Sequence, residues 1–323
     1  MSLLTENNEP IKEIQGIKLR YGLMNFMKYR IWGYLVSLVF VVISIFFVVT
    51  KGFNWGLDFT GGTVIDLTFS QPANLDEIRA TLNNNNITSA TVQTSGSVRD
   101  IMIRLPASIN DPNIGTTIKN MMTTLDPETT VNSIDFVGPN VGEELTQSAI
   151  YATLATLGML LIYIGSRFEW RLALGAIVSL AHDVIVTLGF FAFLQIEVDL
   201  TFVAAILSVV GYSLNDSIVV FDRVRENLRK IRRIEVFDII NISLTQTLSR
   251  TLMTSITTIF VVVALLVFGG PSIHSFSLAL LIGIGFGTYS SIFVAIAFAY
   301  DVGLKREHMI VQKNTDEDID DLP

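Results

Sequence analysis

Apolar residues along this chain come in blocks long enough to cross a bilayer, and one polar block of about 90 residues separates the first of them from the rest. Ile31–Thr50 (IWGYLVSLVFVVISIFFVVT) has the roughly 20 residues that a helical span needs. Leu145–Ser166 contains no charged side chain, and Arg171–Leu194 is interrupted after its first residue only by His182 and Asp183. Leu200–Phe221 carries a single charge, Asp216. Thr251–Tyr300 has no Asp, Glu, Lys or Arg, and Gly269-Gly270-Pro271 divides it into two helices of spanning length. The pattern predicts six spanning helices.

Basic residues orient them. Lys12, Lys18, Arg20, Lys28 and Arg30 precede the first span, Arg167 and Arg171 flank the turn after the second, and Lys305 and Arg306 follow the sixth. Arg223, Arg225, Arg229, Lys230, Arg232 and Arg233 follow the fourth. All four groups fall on one side, which the positive-inside rule makes the cytoplasm. The opposite short loops, Gln195–Asp199 and Gly269–Ser275, contain no Lys or Arg. Both termini are therefore expected inside. The first apolar run follows some 30 polar residues with no small-residue cleavage site after it, so it is expected to be a permanent helix, not a signal peptide.

The polar block reads as a small domain outside. Thr63–Phe69 (TVIDLTF) alternates as a strand does, and Asn74–Leu82 is helical behind an Asn cap. Ala90–Thr94 and Asp100–Leu105 are strands joined by a Ser-Gly-Ser turn, Asn113–Leu125 is helical, and Val131–Val137 closes the set. That order is the one of a ferredoxin-like α+β unit. The fold class is thus a polytopic α-helical membrane protein with a ferredoxin-like extracytoplasmic domain between its first two helices. Its segments are a cytoplasmic 1–30, a first helix 31–50, an α+β domain 52–144, a five-helix bundle 145–302 and a tail 303–323. The tail holds an acidic run, Asp316–Asp321, read as a disordered end. Within the bundle, 223–249 is basic and amphipathic: Val224, Leu228, Ile231, Phe237, Ile240, Leu244 and Leu248 recur at near-helical intervals. It suits a helix lying on lipid headgroups or a docking site for a cytoplasmic partner.

Composition agrees with this reading. The 323 residues are 50% hydrophobic and only 16% charged, with a mean hydropathy of +0.52. A net charge of −8 argues against a nucleic-acid partner. With no cysteine there can be no disulfide or thiolate chemistry. Three scattered histidines, His182, His274 and His308, predict no metal centre.

Asp216 is the residue to explain. A carboxylate at membrane depth costs roughly 3 kcal/mol on insertion scales, so such residues face an interior or a wet cavity and mark ion or proton paths. Ser208, Tyr212, Asn215, Asp216, Asp222 and Arg223 recur at three- and four-residue intervals, as do Arg250, Thr254, Thr257 and Thr258 on the fifth span. Asp216 and Arg250 lie at compatible depths near the cytoplasmic edge. Arg keeps its proton; an Asp that can leave it and take one up is a minimal proton carrier. A static ion pair holding two helices is the structural alternative. His182 and Asp183, adjacent on the third span, point about 100° apart and so are not expected to line one narrow path. Gly283 and Gly287, with Ser290 and Ser291, give the sixth helix a small-residue packing face. Glu143 and Glu144 read as a charge pair at a helix N-terminus.

Several segments resemble the SecD/SecF family of bacterial protein-export membrane proteins, on its SecF side. They are Gly56–Gly62 (GLDFTGG), Arg167–Arg171 (RFEWR), Ala181-His182-Asp183, Val210–Asn227 (VGYSLNDSIVVFDRVREN), Leu244–Thr258 (LTQTLSRTLMTSITT) and Gly283–Phe293 (GIGFGTYSSIF). The resemblance implies a non-enzymatic accessory subunit in the bacterial inner membrane, related to proton-driven transporters of the resistance-nodulation-division type. It implies a SecD-like partner subunit, the Sec translocon channel with its export factors, and unfolded preprotein as substrate, with membrane lipid around it. No cofactor is implied, the proton gradient being the driving force. Asp216 and Arg250 match the residues tied to proton passage, with Asn215, His182, Asp183 and Thr254 as supporting polar groups. Asp58 of GLDFTGG reads as shaping the turn at the membrane edge. Three alternatives stand beside this: half of a small-molecule efflux transporter, an intramembrane aspartyl protease using Asp183 and Asp216, and a passive scaffold. The protease reading lacks a GxGD motif, since the residues are Leu214-Asn215-Asp216, and Arg250 would oppose a proton-sharing dyad.

Overall fold

The computed structural model describes residues 13–14, 17–18, 23–95, 97–109 and 113–309. Lys12 and Arg20, Gly96 of the Ser-Gly-Ser turn, and the acidic run Asp316–Asp321 lie outside them. After a short pair, β1 (Glu13–Ile14) and β2 (Ile17–Lys18), come α1 (Arg30–Lys51), β3 (Asn54–Trp55), α2 (Leu57–Thr60), β4 (Gly62–Thr68) and α3 (Leu75–Asn84). Next are β5 (Thr91–Ser95), β6 (Ser97–Leu105), α4 (Ile114–Leu125) and β7 (Thr130–Val137). The rest is helical except for β8 (Glu197–Val198): α5 (Pro139–Arg167), α6 (Trp170–Leu194), α7 (Leu200–Lys230), α8 (Val236–Phe268), α9 (His274–Ser290) and α10 (Ile296–Asp301). Among the described residues, six helical stretches are long and apolar enough to cross a membrane, the last formed by α9, a π-helical turn at Ser291–Ala295 and α10.

The chain divides into two compact units. One comprises Asn54–Leu154 and Glu197–Leu200. Its sheet runs β5-β6-β4-β7 with every neighbour antiparallel. Alternation along β4 and β6 turns Ile65, Leu67, Ile101 and Ile103 to one face, where Ile78 and Leu82 of α3 and Ile118 and Met122 of α4 complete a dry core. The Asn74 side chain accepts from Asp76 N at 3.1 Å, capping α3 as its sequence predicts. Gly62, at φ +118°, starts β4 so close to β6 that a Cβ there would lie 2.1 Å from the Leu105 carbonyl oxygen.

The other unit comprises Met1–Phe53, Ala155–Ile196 and Thr201–Pro323. Its helices approach through small residues, the usual device where lipid removes a hydrophobic drive to associate. A Cβ at Gly189 would meet Ser44 of α1 at 2.2 Å, and one at Gly175 would meet the Ala295 carbonyl oxygen at 2.2 Å. Gly283 brings α9 equally close to Val209 of α7. Arg30 and Tyr34 at the start of α1 reach Asp301 at the end of α10, at 3.3 and 2.9 Å, so those two ends share one side of the bundle.

One expectation needs correction. Residues 223–249 do not form a single amphipathic helix. α7 ends at Lys230, α8 begins at Val236, and the turn between them holds Arg233 at φ +61°. Val224, Leu228, Ile231, Ile240 and Leu244 are buried within the protein, so this apolar face is covered by the chain itself and not offered to headgroups or a partner. Asn227 fastens the hairpin, donating to Ser243 Oγ and Gln246 Oε1, both at 2.8 Å.

Asp66 of β4 is a poorly satisfied carboxyl in the sheet. Its Oδ2 accepts from Ser133 Oγ at 3.2 Å while Oδ1 is buried without a partner. Burial raises this carboxyl above its ordinary value, and Asp135 adds to the rise against the Ser133 hydrogen bond. Once ionised, a group with a raised folded value destabilises the fold, so stability falls as pH climbs through that value. In the full chain, Asp66→Asn is expected to increase hydrogen-exchange protection of β4 and β7 near neutral pH. The gain should vanish at about pH 3, where the parental carboxyl is also neutral. Equal protection at both pH values would contradict this.

Candidate functional site

Among the described residues, two carboxyl groups are buried in the helical unit, and their surroundings differ. Asp183 is 1% exposed and sits where α6, α7 and α9 meet. Its Oδ2 accepts from Ser213 Oγ of α7 at 2.6 Å and from Ser290 Oγ of α9 at 2.8 Å, and its Oδ1 lies 2.9 Å from His182 Nδ1. Ser179, one turn earlier on α6, donates to Ser290 Oγ at 2.8 Å. The π-helical turn begins directly after Ser290, a local widening often found at functional positions. The 100° separation of adjacent helix positions does not keep His182 and Asp183 apart, because the imidazole reaches across. His182 Nε2 has no partner, and the residue lines a groove of about 510 Å³ with Tyr34, Ser37, Val178, Ala181 and Val294.

Asp216 is 2% exposed but poorly satisfied: its Oδ2 has no hydrogen-bond partner among the described residues. Ser255 of α8 lies within hydrogen-bonding reach of its carboxyl group, and Arg250 acts on it through Coulomb attraction. No ion pair within 4.0 Å joins Arg250 to Asp216 among the described residues, and Arg250 is exposed. The expected contact pair is therefore a longer-range one. Asp222 is engaged elsewhere, with Arg167 of α5 at 3.0 Å.

The polar faces are also rotated from the expected ones. On α7, Ser213, Asp216 and Ser217 turn inward while Ser208 and Asn215 are exposed. On α8, Thr247, Thr251 and Ser255 are buried, one turn apart, while Arg250, Thr254 and Thr257 are exposed. Ser255 Oγ lies 2.7 Å from Thr288 Oγ1 of α9, linking the Asp216 surroundings to the same helix that serves Asp183. Ser213, Ser255, Ser290 and Thr288 were not singled out as site residues. The four-residue spacing of Thr247, Thr251 and Ser255 was the available signal. Among the described residues no three His, Asp or Glu side chains are placed to hold a metal.

Comparison with known proteins places this arrangement. The family profile described as protein export membrane protein SecD/SecF, C-terminal, matches residues 117–305, and the SecD/SecF GG motif matches residues 46–73. A protein translocase subunit SecF from Haemophilus influenzae is 68% identical over 325 residues, covering 100% of both chains. The chain belongs to the SecD/SecF family. A SecF subunit from Escherichia coli O157:H7 is 47% identical, covering 92% of this chain and 93% of that one. A crystal structure of SecDF from Thermus thermophilus, described as a translocon-associated membrane protein, is 35% identical with a TM-score of 0.80. It covers 87% of this SecD/SecF-family chain, which spans only 38% of the solved one.

The Asp183 cluster gives a first test of this SecD/SecF-family site. A hydrogen bond to a group left buried and unpaired costs about 1–3 kcal/mol. Asp183→Ala takes the acceptor from Ser213 and the partner from His182 Nδ1 and leaves Ser290 only Ser179 and the Gly287 carbonyl, whereas Ser213→Ala removes one donor. Thermal unfolding of the purified protein in mild detergent is expected to show a larger loss for Asp183→Ala than for Ser213→Ala. Equal, small losses would mean that the cluster does not hold α6, α7 and α9 together.

Proposed function

We propose that this chain is the SecF-type subunit of the Sec export machinery and couples proton passage at Asp216 to outward movement of preprotein late in translocation. It works in the bacterial inner membrane, with both termini in the cytoplasm and a ferredoxin-like domain outside. Asp216 is the proton carrier. Its unpartnered Oδ2, buried among α7 and α8, is the observation that carries the reading. A fully paired carboxyl such as Asp183 has little reason to exchange a proton, whereas one with a free oxygen and a distant cation can. Arg250 biases Asp216 without locking it, and Ser255 holds its orientation.

The path is finished by a SecD-like subunit. Ser208, Asn215, Arg250 and Thr254 lie on exposed faces of spanning helices, and polar groups at membrane depth are expected to meet protein or water, not lipid. The 38% coverage of the solved SecDF chain fits a chain that supplies one part of a larger assembly. Energetically the scheme is sufficient. One charge crossing 100 mV releases about 2.3 kcal/mol, enough to shift a two-state equilibrium roughly 50-fold. Proton uptake at Asp216 weakens the pull of Arg250, shifts α7 against α8, and moves the outside domain that handles emerging polypeptide.

In membranes carrying the complete complex, Asp216→Asn is expected to reduce export to the level seen when the proton gradient is collapsed, and to remove proton-dependent conductance. Unchanged export and conductance in that variant would refute the reading. An efflux half-transporter would instead show small-molecule resistance lost with export intact.

A further inference from the structure

The GLDFTGG segment at Gly56–Gly62 is not used by the proton site, yet it is tied to the helix that carries Asp216. β3 pairs in parallel with β8, matching Asn54 with Glu197 and Trp55 with Val198. Gly56 N donates to the Val198 carbonyl at 2.8 Å, and a Cβ at Gly56 would approach that oxygen to 2.9 Å. Leu57 N donates to Glu197 Oε1 at 3.2 Å. Asp58 Oδ2 then accepts from Leu200 N at 2.9 Å, capping the first residue of α7. From the sheet, Arg104 of β6 donates to the Trp55 carbonyl at 2.6 Å and to Glu197 Oε1 at 2.5 Å. Beyond Asp58, Gly61 and Gly62 turn at φ +62° and +118° directly into β4, the strand beside β6.

These contacts all lie within the unit that contains the sheet. From Leu200, α7 continues unbroken through Asp216 to Lys230. Sixteen residues of helix separate the cap from that carboxyl, about 24 Å at 1.5 Å per residue. A flexible connection here would dissipate any axial or rotational movement of α7. The observed one does not leave it free: backbone pairing, a capping carboxylate and a bridging guanidinium hold Glu197, Val198 and Leu200.

We infer that the GLDFTGG segment is a rigid clamp, with Asp58, Glu197 and Arg104 as its positioning residues, that passes movement of α7 to the outside sheet. The inference rests on the coupling function proposed above. It assigns Asp58 more than turn geometry: the cap seats α7, and Arg104 ties both halves of the clamp to β6.

The test uses the full chain with its partner subunit. Asp58→Ala is expected to lower proton-driven export about tenfold, the factor corresponding to loss of a charge-assisted hydrogen bond, while proton-dependent conductance persists. Asp58→Asn, which keeps an acceptor oxygen, should retain most export. The chain has no cysteine, so Trp55→Cys with Val198→Cys offers a rescue. Paired strands lie about 4.8 Å apart, within the span of a disulfide. Oxidation of that pair should restore export to the Asp58→Ala protein and should not impair the parental one; reduction should reverse the restoration. Parental export in Asp58→Ala, joint loss of conductance and export without rescue, or arrest of the parental protein by the cross-link would each overturn the clamp. Failure of the underlying coupling function would look different: the parental complex itself would show no proton-dependent conductance.

Discussion

A carboxyl group within an apolar helix bundle must find partners, and this chain answers that demand in two ways. Asp183 collects two hydroxyl donors and an imidazole from three helices, so both of its oxygens are engaged. Asp216 keeps an oxygen with no partner while equally buried. The first arrangement is a knot that fixes helices against one another. The second leaves one carboxyl oxygen unengaged among the described residues. Small residues bring α9 close to this knot: a Cβ at Gly283 would meet Val209 of α7 at 2.2 Å, and one at Gly287 would lie 3.2 Å from Ser213 Cβ and 3.5 Å from Asp183 Oδ2.

The spanning helices were legible because length and apolarity alone specify them. The α+β unit was legible for the same kind of reason: period-two strands and an Asn cap at Asn74 are local signals. What the sequence left open was rotational phase. Spacing tells which residues share a face but not which face turns inward. Thr254 and Asn215 were therefore expected inside the bundle, whereas Ser255 and Ser213 occupy that position. The break at 231–235 was hidden because apolar spacing continues across it and the left-handed position is filled by Arg233, with no Gly or Pro to mark the turn. His182 lines the groove and Asp183 does not, as their directions on the helix imply, yet the imidazole reaches across to Asp183 Oδ1.

The two units meet different demands. The bundle buries two carboxyl groups among the described residues, and the sheet packs its own apolar core against α3 and α4. α7 is the element common to both: its first residue belongs with the sheet and the remainder with the bundle. The residue capped by Asp58, Leu200, and the buried carboxyl at Asp216 thus belong to one unbroken helix. The family match at residues 46–73 and at 117–305 covers both ends.

The central claim is that the Asp216 path is incomplete within this chain. Proton flux into vesicles under an imposed gradient, measured for the chain alone and for the chain with its SecD-like subunit, tests it most directly. The chain alone is expected to leave vesicles as tight as empty ones, and the pair to conduct. Conduction by the chain alone, abolished by Asp216→Asn, would show that the path is complete in one subunit and contradict the account.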